Sequence, residues 1–340
     1  MKFLPDQVVA RLQTEMQTPD LSGTRYRALK FLGRGGMGSV WLAADAVLHR
    51  SVALKVLSAE SSSADLAARL MLEAIILARL EHPGIVPVHD AGTLPDGRTF
   101  YCMKYVEGHM LEQHVGGLGL RQRLQLIQRI AEPLAFAHSR GIIHRDLKPQ
   151  NIMVGAFGEV LIMDWGLAKV MAAFSESIPA GQAEGQEPAR AMQGPLQSVA
   201  LASGNTTAHG SVLGTPGYMA PEQERGDVNL IDQRTDVFGL GSILQSAIQD
   251  KTGAQRSEPL SRPLWAICNK ATAAEMSARY SSVQELADDL GRYLDDMAVS
   301  AYQENLFERT VRLVNRNRVA VVLVLAYLLM RMLFILFSRK

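Results

Sequence analysis

A chain of 340 residues with 47% apolar content is long enough for one large core or two medium ones. Its formal net charge of +1 gives no global field to draw nucleic acid, and none is expected as a partner. The two cysteines, Cys102 and Cys268, match no metal or redox spacing and read as core thiols in a reducing compartment; the histidines lack zinc-ligand spacing.

Lys2-Phe3-Leu4 runs at once into Pro5 and Asp6, without the apolar stretch of a signal peptide. Residues 5–18 suit a small amphipathic docking helix through Val8, Val9, Leu12 and Met16. Two strands, Arg27–Leu32 and one opening at Val40, flank Gly33-Arg34-Gly35-Gly36-Met37-Gly38. Dinucleotide-binding domains share this GxGxxG spacing, but they need a helix after the glycines. Val40-Trp41-Leu42-Ala43 reads instead as strand, so the glycines sit at a hairpin tip, where a backbone without side chains can lie close over phosphates. Ser51–Leu57 alternates as a strand that carries Lys55. A helical pattern over Ala64–Leu80 brings Glu73 among Leu70, Leu72, Ile75, Ile76 and Leu77. A Lys and a Glu arriving from neighbouring elements suit a pair that holds phosphate oxygens; two unrelated surface charges are the plainer alternative.

Strand-like runs follow at Val86–Ala91 and Thr99–Val106, then a long helix over Arg121–Ser139 that Pro133 should bend or weaken. It leads into His144-Arg145-Asp146-Leu147-Lys148-Pro149-Gln150-Asn151, a charged loop between the apolar runs Ile142-Ile143 and Ile152-Met153-Val154. A further strand, Val160–Met163, delivers Asp164 at its end, followed by Trp165 and Gly166. Two acids and an amide at strand ends suit a magnesium–nucleotide site, because hard cations take oxygen ligands and keep phosphate oxygens as the remainder.

Residues 171–210, rich in Ala, Gly, Gln, Ser, Glu and Pro, have no period and read as a flexible insertion. Order returns at Gly214-Thr215-Pro216-Gly217-Tyr218-Met219-Ala220-Pro221-Glu222. Helices are expected from near Asp232, over Leu264–Ala273 and over Ser282–Leu294. Residues 319–337 are apolar except Arg331, and as a helix they span roughly 28 Å, close to the ~30 Å hydrocarbon core. The central Arg costs about 3 kcal/mol and the Val, Leu, Ile and Phe residues return roughly 6, so a transmembrane helix is expected; a packed apolar helix is the alternative. Arg309, Arg312, Arg316 and Arg318 place the preceding side in the cytosol. Only Ser338-Arg339-Lys340 follow, so no outside sensor domain is expected.

Taken together, residues 26–294 resemble the eukaryotic-like serine/threonine protein kinases of bacteria, on several ordered motifs. The resemblance implies an α+β fold of two lobes, a small β-rich one to about Val106 and a larger helical one to about Leu294. An N-terminal extension (1–25) would precede it; a basic juxtamembrane stretch (295–318) and the transmembrane helix would follow. It implies ATP and Mg²⁺ as cofactors. Gly33, Arg34, Gly35, Gly36, Met37 and Gly38 match the loop over ATP, and Leu32, Val40, Ala53 and Met153 the adenine pocket, with Met103 as gatekeeper and Val106 at the hinge. Lys55 matches the lysine on the α- and β-phosphates and Glu73 its helix partner. Asp146 matches the catalytic aspartate, Lys148 the γ-phosphate lysine of the Ser/Thr group, and Asn151 and Asp164 the magnesium ligands. Glu222 would pair with Arg279, Asp236 would brace the catalytic loop, and Arg145 would face a phosphorylated activation segment. Phosphate is expected on Ser198, Ser203, Thr206, Thr207, Ser211 or Thr215.

Three positions depart from the family pattern. Trp165 replaces a Phe, Lys104 stands at an often acidic hinge position, and only about ten residues link Gly253 to Leu264, where a substrate-docking helix is usual. The expected function is transfer of the ATP γ-phosphate to Ser or Thr of protein substrates, with the kinase domain on the cytoplasmic face of the cell membrane. A homodimer is compatible with that anchor. The alternatives are an ATP-binding scaffold with a shortened C-lobe and a small-molecule phosphotransferase; Lys148 and the Gly214–Glu222 segment argue against the latter.

Overall fold

The computed structural model describes residues 18–35, 37–58, 63–170, 217–249 and 261–338. The helix expected over 5–18, Gly36, the 171–210 insertion with its hydroxyls, Thr215 and most of the short 253–264 connection lie outside the described residues.

The N-terminal lobe is a five-stranded antiparallel sheet built from β1 (Tyr26–Arg34), β2 (Gly38–Asp45), β3 (Arg50–Leu57), β4 (Val88–Thr93) and β5 (Thr99–Lys104), in the order β1-β2-β3-β5-β4. Strand alternation sends Val52, Leu54 and Val56 of β3 to a small outer core with Tyr26, Trp41 and Phe100. It sends Ala53, Lys55 and Leu57 to the inner face, where Ala53 and Leu57 join the main core. Lys55 is therefore drawn into the interior by its strand's register. Helix α1 (Ala64–Arg79) covers that face: Ser63 caps it by accepting from the Leu66 amide, and Leu70, Ala74, Ile76 and Leu77 form its buried stripe.

β4 begins two residues later than the periodicity suggests. Pro87 has no amide to donate, and the chain ahead of it pairs elsewhere: Val86 donates to the Ile162 carbonyl at 3.4 Å and Ile162 to that of Gly84 at 2.9 Å.

The second lobe is helical. Short β6 (Gly108–Met110) leads into α2 (Leu111–Val115) and then α3 (Leu120–Ser139), which is one helix through Pro133. The proline ring packs against Gly84, where an added Cβ would meet Pro133 Cγ at 2.9 Å, so Pro133 serves as an inter-lobe contact. Next come β7 (Ile142–Ile143), β8 (Ile152–Gly155), β9 (Val160–Ile162) and β10 (Lys169–Val170); β6-β8-β9 form one sheet and β7 pairs with β10. Helices α4 (Pro221–Glu224), α5 (Gln233–Gln249), α6 (Arg262–Ala271) and α7 (Val283–Leu294) complete the lobe, its core running through Ile127, Ile130, Leu134, Leu240, Ile243, Leu264, Ile267, Leu286 and Leu290. Cys102 and Cys268 are free and buried, as core thiols should be.

Beyond α7 the chain docks on the lobe: Val299 is buried, and Asp289 accepts from the amides of Ser300 and Ala301 at 2.8 and 3.0 Å. Helices α8 (Leu306–Arg316) and α9 (Arg318–Ser338) follow. Among the described residues no helix is long and apolar enough to cross a membrane. The transmembrane helix expected over 319–337 is in that respect not met; Ala320, Ile335 and Leu336 within it are outside the residues whose side chains are described.

Candidate active site

The charged loop after β7 is held by a single buried carboxylate. Asp236, near the start of α5, accepts from the His144 amide at 2.8 Å through Oδ2 and from the Arg145 amide at 2.9 Å through Oδ1. His138 Nε2 of α3 lies 2.7 Å from the same Oδ2. Two successive amides can face one carboxylate only if the backbone bends sharply, and Arg145 has φ 71°, a left-handed conformation that costs a side-chain-bearing residue of order 1 kcal/mol or more. Gln223 of α4 adds a further tie, donating to the Arg145 carbonyl at 2.6 Å.

Asp146 emerges from that bend. Lys148 Nζ lies 2.7 Å from its Oδ2, and Asn151 Nδ2 donates to its carbonyl at 2.8 Å and to Oδ2 at 3.2 Å. The Asn151 amide nitrogen is thus committed to the loop, leaving its oxygen as the atom suited to a cation. The buried His144 ring sits between the Met163 carbonyl (3.1 Å) and the Asp146 amide (3.3 Å), tying the loop to the strand end that delivers Asp164. Trp165 packs edge-on against it with centroids 4.7 Å apart, so the indole fills the position expected for a phenyl ring.

Asp164, half exposed and at φ 57°, lies 3.0 Å from Lys55 Nζ through Oδ1. Lys55 also donates to both oxygens of the buried Glu73 at 2.8 Å. Burial works against the Lys55 ammonium, but Tyr101 and the Glu73 and Asp164 carboxylates outweigh it and hold its pKa above the usual lysine range. Burial alone would raise the Asp164 carboxyl; Lys55 brings it below the ordinary value.

The glycine hairpin closes over these groups. Gly35 donates to the Gly38 carbonyl at 2.8 Å, and Arg34 lies opposite Ser39. A Cβ on Gly38 would collide with the Val56 carbonyl, whereas at Gly33 it would meet nothing within 4 Å. Met37 at the tip reaches the far side: a Cβ on Gly166 would lie 3.3 Å from Met37 Cε and 3.2 Å from Glu73 Oε2. Of the apolar residues expected around a base, Ala53 and Met103 pair across β3 and β5, Val40 packs against the same core and Val106 is buried between β5 and β6. Leu32 on β1 is 40% exposed and Met153 on β8 half-buried, one from each lobe. Glu222 and Arg279 form a fully buried two-pronged pair at 2.8 Å, as expected.

Sequence reasoning missed Tyr101, His138 and Gln223. Tyr101 was legible only as the residue two before Met103 on the same strand face; His138 and Gln223 carry no signal until the helices are docked.

A family profile described as "Protein kinase domain" matches residues 26–309. The chain is 34% identical over 305 residues to a serine/threonine-protein kinase PknD of Chlamydia felis, covering 79% of this chain and 31% of that protein. It is 30% identical over 309 residues to PknD of Protochlamydia amoebophila, covering 79% and 30%. It thus spans about a third of the length of the curated relatives it matches. In structure it is similar to the Mycobacterium tuberculosis PknI kinase domain, at 25% identity and TM-score 0.54, covering 81% of this chain and 98% of that one. The two-lobed architecture, the ordered motifs and these likenesses, to bacterial serine/threonine kinases in sequence and to a kinase domain in structure, agree: the chain belongs to the protein kinase family.

Proposed function

We propose that this protein transfers the γ-phosphoryl group of ATP to Ser or Thr hydroxyls of proteins. The observation that carries the reading is the convergence of Lys55, Glu73 and Asp164 on one side and Asp146, Lys148 and Asn151 on the other, all within hydrogen-bonding distance in their own group. In this reading the glycine hairpin covers the phosphates, Ala53, Val40, Met103, Val106, Leu32 and Met153 surround the base, and Lys55 binds the α- and β-phosphates. Asp146 orients the acceptor hydroxyl and takes its proton, while Lys148 offsets charge on the transferring phosphoryl. Such a reaction needs positioning and electrostatics more than covalent help.

The donor set fits a cation shared with the nucleotide. Among the described residues no three His, Cys, Asp or Glu side chains form a metal cluster. Asp164 and the Asn151 oxygen would therefore hold Mg²⁺ together with phosphate oxygens and water. Bound there, Mg²⁺ would neutralise phosphate charge.

We further infer that the kinase works at a membrane, with its catalytic lobes cytoplasmic. Support comes from the apolar run 319–337, from the exposure of Leu325, Leu329, Phe334 and Phe337 along α9, and from the arginines ahead of it. Flotation of the full chain with liposomes tests this; a chain that stays in the aqueous fraction overturns it.

The activity itself is tested by incubating the full chain with Mg-ATP, alone and with a generic basic protein, beside Lys55→Met and Asp146→Asn. Phosphoserine or phosphothreonine in the wild type alone is expected, including on Ser198, Ser203, Thr206, Thr207, Ser211 or Thr215. Nucleotide binding without any transfer would make the protein an ATP-binding scaffold.

A further inference from the structure

The Lys55–Glu73 pair has a third member. Tyr101 stands directly opposite Lys55 in the β3–β5 register and is 1% exposed. Its hydroxyl donates to Glu73 Oε1 at 3.0 Å, and its ring centroid lies 5.7 Å from Lys55 Nζ. The Glu73 carboxylate, with no exposed surface, is thereby closed in on both sides: Oε1 by Tyr101, and Oε2 by Gly166, whose added Cβ would lie 3.2 Å away.

A buried carboxylate needs donors beyond a single ammonium to offset its desolvation. Glu73 belongs to α1, whereas Lys55 and Tyr101 belong to the sheet, so the hydroxyl is a second polar tie between helix and sheet at the point where the ammonium must be aimed. Phenylalanine would fill the same space, and only the hydroxyl supplies the bond. We propose that Tyr101 is a positioning residue: its hydroxyl fixes the Glu73 carboxylate, and through it Lys55, in the arrangement that receives nucleotide phosphates. This rests on the nucleotide-binding reading above.

A pH signature follows. The groups facing Glu73 are Lys55 from β3, Tyr101 from β5 and Asp164 from the segment after β9. Burial pushes the Glu73 carboxyl up and the Asp164 carboxylate adds to that; the Lys55 ammonium and the Tyr101 hydroxyl act in the opposite direction without cancelling it, so the carboxyl stays above its ordinary value. Loss of the hydroxyl therefore moves the acid limb of kcat/KM to higher pH.

The test uses the full chain as wild type, Tyr101→Phe, Glu73→Gln and the double variant, read by Mg-ADP titration, ATP kinetics and thermal melting. For Tyr101→Phe a Tm lowered by only a few degrees is expected, because Glu73 loses one donor and keeps Lys55, with KM for ATP raised about three- to tenfold, kcat less affected and the acid limb shifted upward. In the Glu73→Gln background the same change should weaken Mg-ADP binding by less than about twofold. A folded Tyr101→Phe enzyme with wild-type KM and acid limb overturns the proposal, as does an equal loss in both backgrounds. If Tyr101→Phe fails to fold, Tyr101→Gln and Tyr101→Met replace it: the Gln variant, which keeps a donor, should bind Mg-ADP at least about threefold more tightly, and equal affinities overturn the proposal. A wild type that does not bind Mg-ADP refutes the nucleotide reading instead.

Discussion

Lys55 Nζ lies 3.0 Å from Asp164 Oδ1 while it also holds both oxygens of Glu73 at 2.8 Å. One ammonium thus joins the sheet, α1 and the segment after β9. Replacing it by methionine should abolish phosphoryl transfer and destabilise the fold by about 3 kcal/mol, because Glu73 is left as an unpaired buried charge. Lys55→Met combined with Glu73→Leu should regain most of that stability and none of the activity. Urea titrations beside phosphotransfer assays separate the two effects.

Two glycines of one hairpin should respond oppositely. Gly38→Ala forces a methyl group onto the Val56 carbonyl, a backbone atom that cannot step aside without moving β3, so a loss of about 1–3 kcal/mol is expected. Gly33→Ala meets open space and should leave the melting temperature nearly unchanged. Differential scanning calorimetry of both variants decides the matter; equal melting temperatures would contradict the hairpin geometry.

Asp236 should govern acid stability. Burial raises its carboxyl pKa, but the facing His138 and the loop amides lower it more, so it sits below the ordinary value of 3.8. A carboxyl depressed in the fold stabilises above its unfolded pKa, and that contribution disappears as pH falls through the folded value. Wild-type unfolding free energy should therefore drop below about pH 4, and the drop should be shallower in Asp236→Asn. At neutral pH that variant should already be weaker by about 2 kcal/mol, since the amide cannot serve both loop N–H groups. Chemical denaturation across the acid range reads both effects.

The connector beyond α7 should be released by one substitution. Asp289 accepts from the Tyr280 hydroxyl at 2.9 Å, the Ser300 hydroxyl at 2.7 Å and the amides of Ser300 and Ala301. Asp289→Ala should expose residues 296–305 to limited proteolysis and leave those donors unsatisfied, at about 1–3 kcal/mol each. Cleavage at the wild-type rate would show that the buried Val299, and not Asp289, holds the connector.

The candidate site groups were legible early because the proposed chemistry demands fixed residue types at short spacing: Asp146, Lys148 and Asn151 share one loop, and Gly33, Gly35 and Gly38 one hairpin. The strands and long helices were legible from their periods, β3 and α3 within a residue or two. β4 was placed too early because Pro87 diverts the chain ahead of it to β9, a pairing that depends on a strand many residues away. The docking of the basic stretch after α7 was not legible, because Asp289, Ser300 and Val299 carry no signal until α7 presents its buried side.

The sequence by itself therefore determined the family, the order of the main elements and which side chains are the candidates for the chemistry, since these rest on local spacing and period. The bracing role of Asp236 was implied by the resemblance as well; tertiary structure alone supplied Tyr101, His138 and Gln223 and the geometry by which all of these hold the site. Tyr101 reaches Glu73 only through the β3–β5 register and the docking of α1, and Asp236 reaches the Arg145 amide only once α5 packs beneath the loop. Hydrogen bonds act over about 3 Å, so partners far apart in the chain become visible only when packing has set their positions.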